Sequence, residues 1–184
     1  MDAAIRLFNA KGYKATTTAV IAEEVGVYEP TLYKHFENKK QLFIECFKDI
    51  IGELLDQYKE ARKKYKDDEV GYLLEVSHIY IRYIMQNPHK SKFIVHLLGY
   101  KDDADIERVF NRFMKDSVKN IEEVIDSAKK KGTIDSDVES NLLAGMFVTQ
   151  YFTVVALKEL IKPNNFKEEK MMKMTLNLLR IKEK

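Results

Sequence analysis

Thr16 to Phe43 reads TTTAVIAEEVGVYEPTLYKHFENKKQLF, and the fold turns on this stretch. Thr17 suits an N-cap, its hydroxyl accepting from the open N–H groups of a first helical turn. Val20, Ile21 and Val25 then recur at helical spacing, with Glu23 and Glu24 facing water. Gly26 sits where the chain must reverse, and glycine takes positive φ without a Cβ penalty. Glu29 and Pro30 open the next helix, where the missing proline N–H would have had no partner anyway. Leu32 and Phe36, four apart, face a core, which leaves Thr31, Tyr33, Lys34 and His35 on the other faces. A third helix begins at Asn38. Two short helices about a glycine turn form a helix-turn-helix, whose second helix fits a DNA major groove.

Composition narrows the rest. A chain of 184 residues makes one globular unit or two small ones and buries roughly 70 % of its unfolded surface. Three prolines, seven glycines and 33 % charged residues favour an all-α fold. The net charge is only +2, and residues 1–48 carry seven Lys/Arg against six Asp/Glu. Overall charge therefore does not mark a nucleic-acid binder. Any basic surface must come from clustering of Lys34, Lys39 and Lys40, with Lys11 and Lys14 nearby. Lys39 and Lys40 fall in the first turn after Asn38, where cations oppose the helix macrodipole by about 0.3–1 kcal/mol each. A phosphate lying across that end would remove the conflict, as would simple solvation.

The single cysteine, Cys46, excludes an intrachain disulfide and suits a reducing cytoplasm. It shares an apolar face with Leu42, Phe43, Phe47 and Ile50, as a buried small hydrophobe would. No signal peptide is visible. The most apolar run, Leu142–Leu157, is short and interrupted by Gly145, Thr149, Gln150 and Thr153, which argues against a membrane span.

Periodicity predicts about nine helices. The first runs from Asp2 to Lys11, with Ile5, Leu7 and Phe8 inward and Gly12 as its C-cap. The fourth, from Lys39 to Tyr65, aligns Leu42, Phe43, Cys46, Phe47, Ile50, Ile51, Leu54, Leu55 and Tyr58 on one stripe. A fifth spans Glu69 to Gln86 and a sixth Pro88 to Leu98, stopped by Gly99. A seventh spans Asp103 to Lys131, with acids at its start, Lys129–Lys131 at its end and Gly132 as C-cap. The eighth opens on a capping box, Ser136 with Glu139, and is apolar almost all round from Leu142 to Leu157. It ends at Pro163, and a ninth runs from Asn165 through Ile181. An all-round apolar helix in so small a chain is central to a large core or faces a second subunit.

Several spaced pieces together resemble a known family. AAIRLFNAKGY, TT, IAEEVGV, TLYKHF and NKKQLF, from Ala3 to Phe43, are similar in order and spacing to the DNA-binding domain of TetR-type (tetracycline-repressor-like) transcriptional regulators. The resemblance implies an all-α homodimer: a three-helix DNA-binding domain over residues 1–43 and a variable ligand-binding and dimerisation domain over 44–184, paired through helices eight and nine. It places Tyr28, Glu29, Pro30, Thr31 and Tyr33 at the bases and Thr17, Thr18, Lys34, His35 and Lys39 at the backbone. Pro30 and Thr31 suit a thymine methyl and Glu29 suits cytosine N4, while Tyr33 suits either. Tyr28 stands where a small capping residue is usual, and Ala19 offers no polar group to phosphate. Related proteins usually begin several residues earlier, so either an arm is absent or the start lies upstream.

The second half predicts a pocket among helices five to eight, with His78, Tyr83, Phe93, His96, Phe113, Met114, Met146, Phe147, Gln150 and Tyr151 as candidates. His78 and His96 lack a third ligand at any recognised spacing, so no metal is expected, and no cofactor. No phosphate loop, nucleophile elbow or paired metal ligands suggest an enzyme. The expectation is a cytoplasmic repressor of a palindromic operator, released by a small, largely apolar molecule. The rival is a helical protein-interaction module that no longer reads DNA.

Overall fold

A computed structural model describes residues 1–98, 100, 103–134, 137–160 and 168–179. Among these, the chain is helical without strands: α1 (Asp2–Ala15), α2 (Thr18–Glu24), α3 (Glu29–Tyr33), α4 (Lys39–Lys64), α5 (Glu69–Gln86), α6 (Pro88–Leu98), α7 (Ala104–Lys130), α8 (Ser140–Leu160) and α9 (Glu168–Leu178). Packing divides the chain into two units, residues 1–53 with 87–109, and residues 54–86 with 110–184. The boundary expected after Phe43 follows the DNA-binding motif; by packing, the first unit also takes in more of α4, all of α6 and the start of α7.

The first unit closes on rings. Phe43 of α4, 5 % exposed, lies 4.9 Å from Phe8, 4.8 Å from Tyr13, 4.8 Å from Phe93 and 5.7 Å from Tyr100 between ring centroids. Pairs at these separations add about 0.5–1.5 kcal/mol each beyond the area they bury. Ile5, Ile21, Leu42, Cys46, Phe47 and Ile50 fill in around them, all buried. Burial pushes the Cys46 thiol up to about 12, so it is an inert core residue. Gly12 takes φ 77 and breaks the helix where its stop is expected; a short second helical piece follows the kink to Ala15, with the Thr16 N–H bonded to the Gly12 carbonyl.

The second unit packs α5, α7 and α8 around Leu73, Val76, Ile121, Val124, Ile125, Leu143, Phe147 and Val148, with Leu179 closing one side. Gly132 ends α7 with the expected reversal: the Thr133 N–H reaches the Ala128 carbonyl and the Gly132 N–H that of Lys129. An ion pair, buried on its Glu69 side and open to solvent at Lys131, joins the start of α5 to the end of α7. Glu69, 5 % exposed, accepts from Ser127 at 2.8 Å and from Lys131 at 2.7 and 2.9 Å. Each charge also sits at the helix end its sign favours.

Two expectations are corrected. The eighth helix starts at Ser140, later than the capping box implied; the Glu139 carbonyl accepts its first bond, from Leu143, so Glu139 is the cap and not the third residue. The Ser136 half of that box, the breaks at Gly99 and Pro163, and Asn165 and Ile181 lie outside the described residues. Leu55 leaves the inward stripe of α4 at 41 % exposed. Ser140–Lys158 is long and apolar enough to cross a membrane by length and composition alone, a test that a core helix also passes, and 44 % of it is buried in the unit.

Candidate nucleic-acid interface

The helix-turn-helix is built by local bonds that the sequence specifies. Thr17 is extended, and its hydroxyl accepts from the Val20 N–H at 3.2 Å, capping α2. At the other end Gly26 takes φ 70. Its N–H bonds to the Glu23 carbonyl at 3.1 Å and the Val27 N–H to that of Ala22 at 2.9 Å, a paired closure that only a left-handed residue permits. The chain then turns into α3, five residues long with none buried. Tyr28 caps α3 through its backbone alone, and its side chain is 86 % exposed. Val25, Val27 and Tyr33 are exposed beside it in sequence, at 45 %, 39 % and 48 %.

One hydroxyl ties α2 to α3. Thr18, 8 % exposed, donates to Glu29 Oε1 at 2.6 Å and lies 2.9 Å from the Tyr33 hydroxyl. Glu29 is half-buried; Pro30, Lys34 and His35 are exposed, and Thr31 is half-buried. Thus α3 turns polar and aromatic groups to solvent where a globular core would demand apolar ones.

The two lysines at the start of α4 find their relief within the chain. Asn38 caps this helix, its side-chain oxygen accepting from the Gln41 N–H at 2.9 Å. The Lys39 ammonium donates to the carbonyls of Tyr13 at 2.8 Å, Thr16 at 2.9 Å and Lys14 at 3.4 Å, at the end of α1. Lys40 pairs with Asp105 at 2.7 Å and Asp103 at 3.2 Å. That contact with Asp105 raises the Lys40 ammonium and lowers the Asp105 carboxyl from their usual ranges. A phosphate is therefore not needed to explain either lysine.

A small cavity of about 10 Å³, room for about one water, lies in the second unit among α5, α8 and α9. Ser77, Tyr80, Gln150, Tyr151, Met171 and Thr175 contribute to its lining, with no charged group among the lining residues. Thr175 donates to Gln150 at 3.0 Å, whereas the buried Ser77 hydroxyl has no hydrogen-bond partner. Of the ten candidates, Gln150 and Tyr151 line this cavity. Phe93 belongs to the ring cluster of the first unit, His96 to its exposed surface, and Phe147 to the packed core. Met146 is 45 % exposed, Tyr83 is buried elsewhere, and His78, Phe113 and Met114 are half-buried outside the lining. Ser77 and Tyr80 were not among the candidates; a serine within the apolar stripe of α5 was the signal that could have found them. Among the described residues no three His, Cys, Asp or Glu side chains gather as a metal site.

Residues 1–46 match the bacterial regulatory proteins of the tetR family. A fatty acid metabolism regulator protein of Bacillus subtilis is 20 % identical over 146 residues, 79 % of this chain and 74 % of that one. Among solved structures, the fatty acid degradation regulator FadR from Bacillus halodurans superposes with a TM-score of 0.77 at 20 % identity, over 97 % of this chain and 94 % of that one. AibR, solved in complex with isovaleryl coenzyme A and operator DNA, gives 0.76 at 20 % identity, over 98 % and 96 %. At such identities the superpositions establish the fold alone. Residues 1–46 thus carry the amino-terminal motif of the tetR family of bacterial regulatory proteins, and the chain as a whole is similar in fold to these regulators.

Proposed function

We propose that this protein is a ligand-responsive DNA-binding repressor that grips a palindromic operator as a homodimer and is released by a small, largely apolar molecule. The observation that carries this reading is α3 itself, capped and braced by α2 yet burying none of its own residues. Tyr28, Glu29, Pro30, Thr31 and Tyr33 address base edges, while Thr17, Lys34 and His35 hold the backbone. Thr18 and Lys39 take a different part: their polar groups bond inside the head, so they position the reader and its supporting helix.

Dimerisation is supported by α8, where Leu142, Met146, Thr149 and Thr153 form one exposed strip at spacings of four, three and four, and by exposed Met174 on α9. Such strips pair as halves of a four-helix bundle. The uncharged lining suits an effector that is mostly apolar, and the fatty-acid and acyl-coenzyme A names among the similar proteins favour an acyl-bearing molecule. The effector would favour one pose of α4 to α7, tilting α4 and changing the separation of the two readers; a full switch needs about 5.5 kcal/mol of discrimination between poses. We read the protein as cytoplasmic and as having no catalytic role.

The test is Tyr33→Ala. Operator affinity, measured by fluorescence anisotropy on a selected duplex, should fall while sedimentation still reports a dimer. Undiminished affinity removes Tyr33 from the reader.

A further inference from the structure

The three-residue network at the reader fixes which hydrogens it has left to give. A threonine hydroxyl carries one hydrogen, and a carboxylate carries none. The 2.6 Å contact between Thr18 and Glu29 Oε1 therefore uses the Thr18 hydrogen. It follows that the 2.9 Å contact between the Thr18 and Tyr33 hydroxyls is made by Tyr33 donating. The hydrogens run in one direction, from Tyr33 to Thr18 to Glu29. Tyr33 keeps its lone pairs but has no proton to offer, although its side chain is 48 % exposed. Glu29 has none either. Whichever of these oxygens meets the DNA, it meets it as an acceptor.

We propose that Thr18, which is too buried to be a base contact itself, sets the hydrogen-bond polarity of α3: Glu29 and Tyr33 pair with exocyclic amino groups, cytosine N4 or adenine N6, and are turned away from the acceptors N7, O6 and O4. A tyrosine in the major groove ordinarily donates or accepts, and so discriminates poorly. Held by Thr18, it discriminates by hydrogen count. Thr18 is thus a positioning residue, and the inference rests on the reading of α3 as a base reader.

Base analogues test it. Binding sites are first selected from a random duplex pool. Each position of the half-site is then rebuilt without its amino group (purine for adenine, 2-pyrimidinone for cytosine) or without N7 (7-deazapurines). The wild type should lose about tenfold in affinity at one or more amino deletions and change by less than about twofold on N7 deletion at the same base pairs. In Glu29→Gln, Thr18 still donates to the amide oxygen, which turns the amide N–H groups outward; the pattern at the Glu29 position should invert. Thr18→Val releases the Tyr33 hydrogen and should blunt the amino penalty. If thermal melting shows Thr18→Val unfolded, Tyr33→Phe serves in its place, abolishing the penalty at the Tyr33 position and sparing that of Glu29. N7-dominated penalties in the wild type, or analogue profiles unchanged in the folded variants, overturn the inference. A wild type that enriches no duplex at all instead overturns the reading of α3 on which it rests.

Discussion

The Lys39 ammonium stands 2.8 Å from the carbonyl oxygen of Tyr13, although one residue opens α4 and the other lies near the end of α1. At the start of its own helix the charge is unfavourable; at the end of α1 it meets carbonyls that lack helical partners, where a cation is favoured. The same ammonium lies 4.4 Å from the Tyr13 ring centroid, a cation–π contact. A local conflict in one helix is thereby the tertiary clasp of another.

Lys39→Met keeps the length of the side chain and removes its donors. The account expects a loss of about 1.5–3 kcal/mol, the range for hydrogen bonds from a charged group, read as a lower urea midpoint. An unchanged midpoint would mean the clasp contributes nothing.

Glu69 gives the second unit a pH signature. Its bond to Lys131, aided by Ser127, outweighs the cost of burial and holds the carboxyl at about 2 against an ordinary 4.5. A depressed folded value means the contribution is present above about pH 4.5 and is lost as pH falls from there toward 2. Glu69→Gln should therefore be less stable than wild type at pH 6, and the gap in melting temperature should shrink steadily below pH 4.5. A gap independent of pH would separate the variant's effect from the ion pair.

The helix-turn-helix was legible because its determinants are local. Thr17 and Gly26 act within a few residues of themselves, so a capped start and a left-handed stop could be placed before any tertiary contact was known. The bond from Lys39 was not legible for the opposite reason: Tyr13 is 26 residues away, and nothing in the first turn of α4 announces it. The Thr18 bridge to Glu29 spans eleven residues and two helices, so no local signal announced it either. The cavity was hardest to foresee. Its α9 residues, Met171 and Thr175, come from a helix whose sequence reads only as apolar, and Phe93, a sound candidate by composition, was needed by the ring cluster.

The exposed strip of α8 predicts a dimer that one charge can break. Met146→Glu places a carboxylate at a position 45 % exposed in the single chain, so folding should survive. Sedimentation equilibrium should show dimer for the wild type and monomer for the variant at micromolar concentration, with the helical circular dichroism of both alike. Persistence of the dimer would move the interface elsewhere.

Ser77 should behave as a group kept for a ligand and not for stability. Its buried hydroxyl lacks a hydrogen-bond partner, so Ser77→Ala should cost less than about 0.5 kcal/mol or stabilise the fold. Thr175→Val, which removes the bond to Gln150, should cost about 1 kcal/mol. Chemical denaturation of the two variants checks the contrast, and a larger loss in Ser77→Ala would contradict it.

The central claim is that α3 meets DNA, and equilibrium binding of the wild type to a labelled random duplex across a salt series tests it most directly. A phosphate-gripping dimer should bind at low salt and weaken linearly in log–log form as salt rises, by about 10³-fold or more between 50 and 200 mM if it neutralises six or more phosphates. Absence of measurable binding at the lowest salt would contradict the claim.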